Sequence, residues 1–135
     1  MTSSAEEPIW VPRAAVEAAH ADQIRTHGGQ LGLRDEGLLD SALARPQHRW
    51  RYESDSDFAV FAASYGFGLI KNHPFVDGNK RIGFLTANMF LILNGHQIEA
   101  PEPQVVDIVL RVADGSLSES EFATWIRSVL VTLDL

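Results

Sequence analysis

Apolar residues along the chain recur at helical spacing, interrupted by glycine, proline and short polar runs. After a small, polar start over residues 1–8, Ile9-Trp10-Val11 is an apolar anchor and Pro12 opens a helix. Val16, Ala19 and Ile24 share one face to about His27. His20 interrupts that face, and Gly28-Gly29 ends the helix. Asp35 suits the N-cap of a second helix, with Leu38, Leu39, Ala42 and Leu43 on one side. Arg45-Pro46 is expected to stop it, because the residue before proline is pushed out of helical geometry. Residues 46–56 then read as a loop or flap carrying Arg49, Trp50 and Arg51. A third helix is expected from Asp57, with Phe58, Phe61, Ala62, Tyr65 and Leu69 on one face. Gly66 and Gly68 weaken it by about 1 kcal/mol each relative to alanine and imply close approach of another backbone.

A dense polar window, His73 to Arg81, comes next and runs into a segment from Asn79 to Asn94 that is apolar on every side. Such a helix is expected to be buried, and Gly95 caps it. After His96-Gln97-Ile98, Pro101 and Pro103 restart the chain. Helices are expected over Val105–Ala113 and Ser118–Val131, the latter with Phe122, Trp125, Ile126 and Val129 inward. Ser118 and Glu121 have capping-box spacing. The pattern is that of one all-α domain over residues 9–135, preceded by a flexible stretch over 1–8.

Composition narrows the class. With 135 residues, 45% apolar and 21% charged, the chain can bury a hydrophobic core. It has no cysteine, which removes disulfides and thiolate metal sites and suits a cytoplasmic location. No signal-peptide pattern opens it, and no apolar run reaches the roughly 20 residues that cross a bilayer, so no membrane role is expected. The net charge of −7 repels phosphate backbones and argues against a nucleic-acid partner.

The window His73-Pro-Phe-Val-Asp-Gly-Asn-Lys-Arg81 carries the chemistry. Asn79, Lys80 and Arg81 form the first turn of the buried helix, where unpaired N–H groups and the helix dipole favour an anion. Gly78 lets the backbone approach a ligand closely. Arg81 can hold phosphate oxygens in a fork, and Lys80 supplies a point charge. Asp77 repels phosphate by itself but fits if a Mg²⁺ lies between them. His73 can accept a proton from an attacking hydroxyl near neutral pH. Taken singly, His73 reads as a helix C-cap, Asp77 as an N-cap, and Lys80 and Arg81 as a solvated face. Together they point to phosphoryl or nucleotidyl transfer. Phe75 reads as an apolar plug. Asn88, two turns from Arg81, either orients that arginine or satisfies a buried carbonyl. His20, His27 and His96 receive no role.

The window resembles the signature of the Fic/Doc family, His-x-Phe-x-(Asp/Glu)-(Gly/Ala)-Asn-(Gly/Lys)-Arg, at every specified position. Gly32 to Gln47, Asn72 and Asn94-Gly95 are similar to the death-on-curing (Doc) toxin branch. The resemblance implies an all-α fold and transfer of part of ATP to a protein hydroxyl. It makes His73 the general base and Asp77 the Mg²⁺ carboxylate. Gly78, Asn79, Lys80 and Arg81 become the phosphate-binding residues, and residues 46–56, with Arg49, Trp50 and Arg51, a flap over the target.

Members that transfer AMP resemble Gly-Asn-Gly-Arg-x-x-Arg, whereas this chain has Lys80 and Phe84 at the variable places. Lys80 partly fills a phosphate pocket, and Phe84 cannot grip a γ-phosphate. Both features are similar to the Doc branch, for which the resemblance implies a reversed ATP, γ-phosphate transfer to Ser or Thr of a target such as elongation factor Tu, and arrest of translation. AMP transfer is the alternative enzymatic reading. An inactive binding module using Arg45, His48, Arg49, Trp50, Arg51 and Tyr52 is the alternative of another class. Ser3 to Glu7 has the spacing of the family's inhibitory helix, but Pro8 breaks the pattern. The resemblance therefore implies control by a separate antitoxin.

Overall fold

The computed structural model describes residues 6–134. Six helices, α1 (Arg13–His27), α2 (Glu36–Tyr52), α3 (Phe58–Asn72), α4 (Asn79–Leu93), α5 (Glu102–Asp114) and α6 (Glu119–Val129), pack with two short strands, β1 (His96–Ile98) and β2 (Leu130–Thr132). The local start signals act as expected. The carboxylates of Asp35 and Asp57 accept from the N–H groups of Leu38 and Val60, and Ser118 and Glu121 form a reciprocal capping box.

α3 and α4 share the centre. α3 is the more enclosed, packed between α2, α4 and α6 and buried at most of its positions, many of them small. A β-carbon on Gly66 would lie 2.9 Å from the Phe122 ring. One on Gly83 would lie 2.7 Å from Ile70 and 3.1 Å from the Gly66 carbonyl. The two helices therefore approach backbone to backbone here, as the glycines of α3 implied. Although α4 is apolar all round, Ile92 and Leu93 at its end are exposed. The N-terminal anchor holds the far end of the pair. Trp10 packs against both Phe61 and Phe90, Val11 N–H donates to the Tyr65 hydroxyl, and Asn94 bonds both backbone groups of Ile9. Packing reaches back to Pro8, which is buried; residues 1–5 of the stretch expected to be flexible, and with them Ser3, lie outside the described residues.

Two expectations are corrected. α2 does not stop at Pro46 but runs to Tyr52, so residues 46–52 are helix and not flap. Proline inside a helix costs about 3 kcal/mol. That cost is offset by tertiary contacts, because Pro46 is itself fully buried and Trp50 packs on the core. Arg45 and Arg49, on either side of Pro46, both pair with Glu119 at the start of α6. The final helix ends at Val129, and Leu130-Val131-Thr132 instead pairs antiparallel with His96-Gln97-Ile98. Asn88 serves this edge: its side-chain oxygen accepts from Ile98 N–H at 2.8 Å and orients no arginine. Among the described residues, no helix is long and apolar enough to cross a membrane.

Candidate functional site

The polar window lies at the turn from α3 into α4 and is built against the connection between α1 and α2. α3 ends at Asn72, and His73 is its C-cap in the left-handed region (φ 54°, ψ 54°), the one non-glycine residue with positive φ among those described. Such a conformation costs about 1 kcal/mol or more and persists only where neighbours hold it. Here they do. Arg34 donates from Nε to the His73 carbonyl at 2.7 Å and from Nη2 to that of Asn72 at 3.0 Å. The N–H groups of Arg34 and Asp35 both donate to the Pro74 carbonyl, and Val76 N–H donates to Gly32. Leu33 and Phe75 form an antiparallel bridge. Asn72 donates to the Leu38 carbonyl in the first turn of α2. His73 is thus fixed by its backbone, while the residue stays exposed.

The second half of the window folds around a buried aromatic plug. Phe75 is 3% exposed, and the His20 ring stacks on it with centroids 3.8 Å apart. Asn79, also 3% exposed, accepts from Phe75 N–H and donates to the Phe75 carbonyl, both at 2.9 Å. The Asn79 side chain is therefore a clasp across the loop, its oxygen and its nitrogen each bonded to Phe75. Its backbone N–H takes no part in that clasp. Ile82 N–H is the first to bond back into the helix, to Gly78, and no side chain caps this end. The amides of Asn79, Lys80 and Arg81 thus have no intrahelical acceptor. Gly78 adopts φ 76°, and a β-carbon there would press on Ile24 at 3.2 Å, so the glycine is needed twice over. Lys80 and Arg81 are exposed, and among the described residues neither side chain enters an ion pair or hydrogen bond.

The Asp77 carboxylate is exposed and oriented by backbone, accepting from Gln30 N–H at 3.2 Å and Gly78 N–H at 2.9 Å. These two donors, Gln30 first, hold its pKa below the usual carboxylate range against partial desolvation; the charges of His20 and Lys80 add to the effect. Each oxygen keeps lone-pair capacity toward solvent. One ionised carboxylate beside unpaired helix amides suits a Mg²⁺ shared with substrate phosphates. It does not suit an all-protein metal cage: among the described residues no group of three or more His, Asp or Glu could hold an ion alone.

His73, Asp77, Lys80 and Arg81 are all exposed along the turn from α3 into α4, Gly78 is half-buried between them, and Asn79 is buried. Arg49, Trp50 and Arg51 do not join them. α2 touches the window at Leu38 in its first turn, and these residues lie 11–13 positions further along, about 17–20 Å at 1.5 Å per residue. Arg49 pairs with Glu53 and Glu119, Trp50 is half-buried, and Arg51 is exposed. A concavity of about 400 Å³ lies on this part of α2, lined by Ser41, Ala44, Arg45, His48, Arg49 and Glu53, and contains no motif residue. What borders the window instead is the segment from Gly29 to Arg34. Its signal in the sequence, Gly28-Gly29 with Gly32, is visible only as a turn.

A model of the Fic/DOC family matches residues 10–91, from the N-terminal anchor almost to the end of α4. The chain belongs to that family. It is 33% identical over 110 residues to the protein kinase doc of Escherichia phage P1, covering 82% of this chain and 86% of that protein. It is also similar to the toxin Doc of Mycolicibacterium smegmatis, 45% identical over 75 residues, covering 54% of this chain and 57% of that one.

Proposed function

We propose that this chain is a Doc-type toxin that transfers the γ-phosphate of ATP to a Ser or Thr hydroxyl of a protein target. Its similarity over most of its length to a relative named as a protein kinase carries the reading. Lys80 and Phe84 support it, standing where AMP-transferring members resemble glycine and arginine.

His73 accepts the proton of the target hydroxyl from its fixed position at the end of α3. The amides at the start of α4, with Lys80 and Arg81, take the phosphates and stabilise charge as the bond from the γ-phosphorus to the leaving ADP breaks. Asp77 would hold Mg²⁺, which neutralises phosphate charge when bound. The target segment rests along Gly29–Arg34, where Leu31, Leu33 and Val76 form an exposed apolar rim beside the window. The site is open, as a protein substrate requires. Elongation factor Tu is the target that the family resemblance suggests, and a separate antitoxin would restrain the enzyme in the cytoplasm.

His73→Ala tests the base. In a bacterial extract supplied with ATP, the substitution should abolish labelling of the target while leaving the fold intact by circular dichroism. Undiminished labelling would remove His73 from the chemistry.

A further inference from the structure

We propose that His20, on α1, is a positioning residue that fixes the Asp77–Gly78 peptide and, through it, the direction of the Asp77 carboxylate. Its catalytic consequence rests on the transfer reading above, but the geometry does not.

His20 is 2% exposed, an unusual burial for an imidazole with no catalytic contact. Its Nε2 lies 2.7 Å from the Asp77 carbonyl oxygen. A carbonyl can only accept, so Nε2 carries the proton. The opposite faces of the arrangement are closed as well: the ring stacks on Phe75 and lies beside Gly78, where an added β-carbon would be 3.6 Å from Nε2. One residue of α1 thus touches the plug, the peptide and the helix cap of the window.

The consequence follows from peptide planarity. In a trans peptide the carbonyl and the following N–H point to opposite sides. With the Asp77 carbonyl tied to His20, Gly78 N–H is turned the other way, where it donates to Asp77 Oδ1 at 2.9 Å. That bond and the one from Gln30 direct the carboxylate. Glycine at position 78 makes rotation of this peptide cheap, because both signs of φ are open to it. The backbone alone does not hold the plane, and the His20 donor does. α1 therefore contributes to the transfer site without contacting substrate.

The test compares His20→Leu, which keeps bulk and loses the donor, with His20→Gln, whose amide nitrogen reaches the Nε2 position. His20→Asn, one bond too short, replaces the leucine variant should that fail to fold. Two readouts are taken on the full chain: kcat and KM for the protein target, and hydrogen exchange of the Gly78 amide. The expected result is a kcat about 10–100-fold lower in His20→Leu, with KM for the target unchanged and Gly78 exchange accelerated. His20→Gln should recover most of both. A glutamine variant as impaired as the leucine one, or Gly78 exchange that does not change, overturns the proposal. If the wild-type chain transfers nothing, the exchange series alone decides it: acceleration in leucine with recovery in glutamine upholds the positioning role, and any other pattern rejects it.

Discussion

Replacing Asn79 by Ala or by Asp separates a loop clasp from a phosphate ligand. Asn79 is almost fully buried and satisfies both backbone groups of Phe75, each at 2.9 Å. Alanine leaves a buried N–H and a buried carbonyl without partners. At about 1–3 kcal/mol for each group, the expected cost is about 2–6 kcal/mol. For a chain of this length that is a fall in Tm of about 7–20 °C. Aspartate keeps the acceptor for Phe75 N–H but sets its second oxygen against the Phe75 carbonyl. It can donate there only when protonated, so its folded pKa must rise above the unfolded value. A raised pKa gives stability that is present below the unfolded pKa and lost as pH rises through the folded one. Asn79→Asp should therefore approach wild type in acid and fall below it at neutral pH, whereas the alanine deficit should not depend on pH. Thermal melts of all three proteins at matched pH values measure this. An alanine variant that melts within about 2 °C of wild type yet binds ATP weakly would refute the clasp and restore Asn79 as a ligand.

Gly83→Ala should destabilise by about 1–3 kcal/mol in urea unfolding, because its β-carbon meets Ile70 at 2.7 Å and the Gly66 carbonyl at 3.1 Å. Arg34→Met removes the donors to the Asn72 and His73 carbonyls; transfer rate should fall about 10-fold with only a small change in Tm, measured as initial rate per folded molecule. Tyr65 is fully buried and its pKa is pushed up to about 12 from 10.0 by desolvation, with the Val11 N–H bond opposing. The stability this gives is complete below pH 10 and lost toward pH 12, about 3 kcal/mol in all. Tyr65→Phe should be less stable than wild type at pH 8, since Val11 N–H loses its acceptor, and should lose less stability on going to pH 12.

Much of this was legible in the residues because the signals are local. Asp35, Asp57 and Ser118 start helices by bonding N–H groups three positions on, and nothing distant enters that choice. The cation-rich helix N-terminus in the window was readable for the same reason. What the sequence concealed depends on partners far along the chain. Pro46 is a strong local stop, outweighed by burial and by the arginine pairs to Glu119, more than seventy residues away. Leu130-Val131-Thr132 continues a helical apolar pattern and becomes a strand only because residues 96–98 offer an edge. His20 interrupts an apolar face and receives no role until Asp77, 57 positions on, is brought to it. Asn79 enters the phosphate-binding set only through the family resemblance, and the folded loop is what shows its oxygen and nitrogen bonded to Phe75.

The central claim concerns which phosphate moves. The purified chain is incubated with its protein target and ATP labelled either at the α- or at the γ-phosphate, and label on the target is counted after ATP is removed. Transfer from the γ position alone, lost in His73→Ala, is the expected result. Label retained from the α position would contradict it and assign the site to AMP transfer.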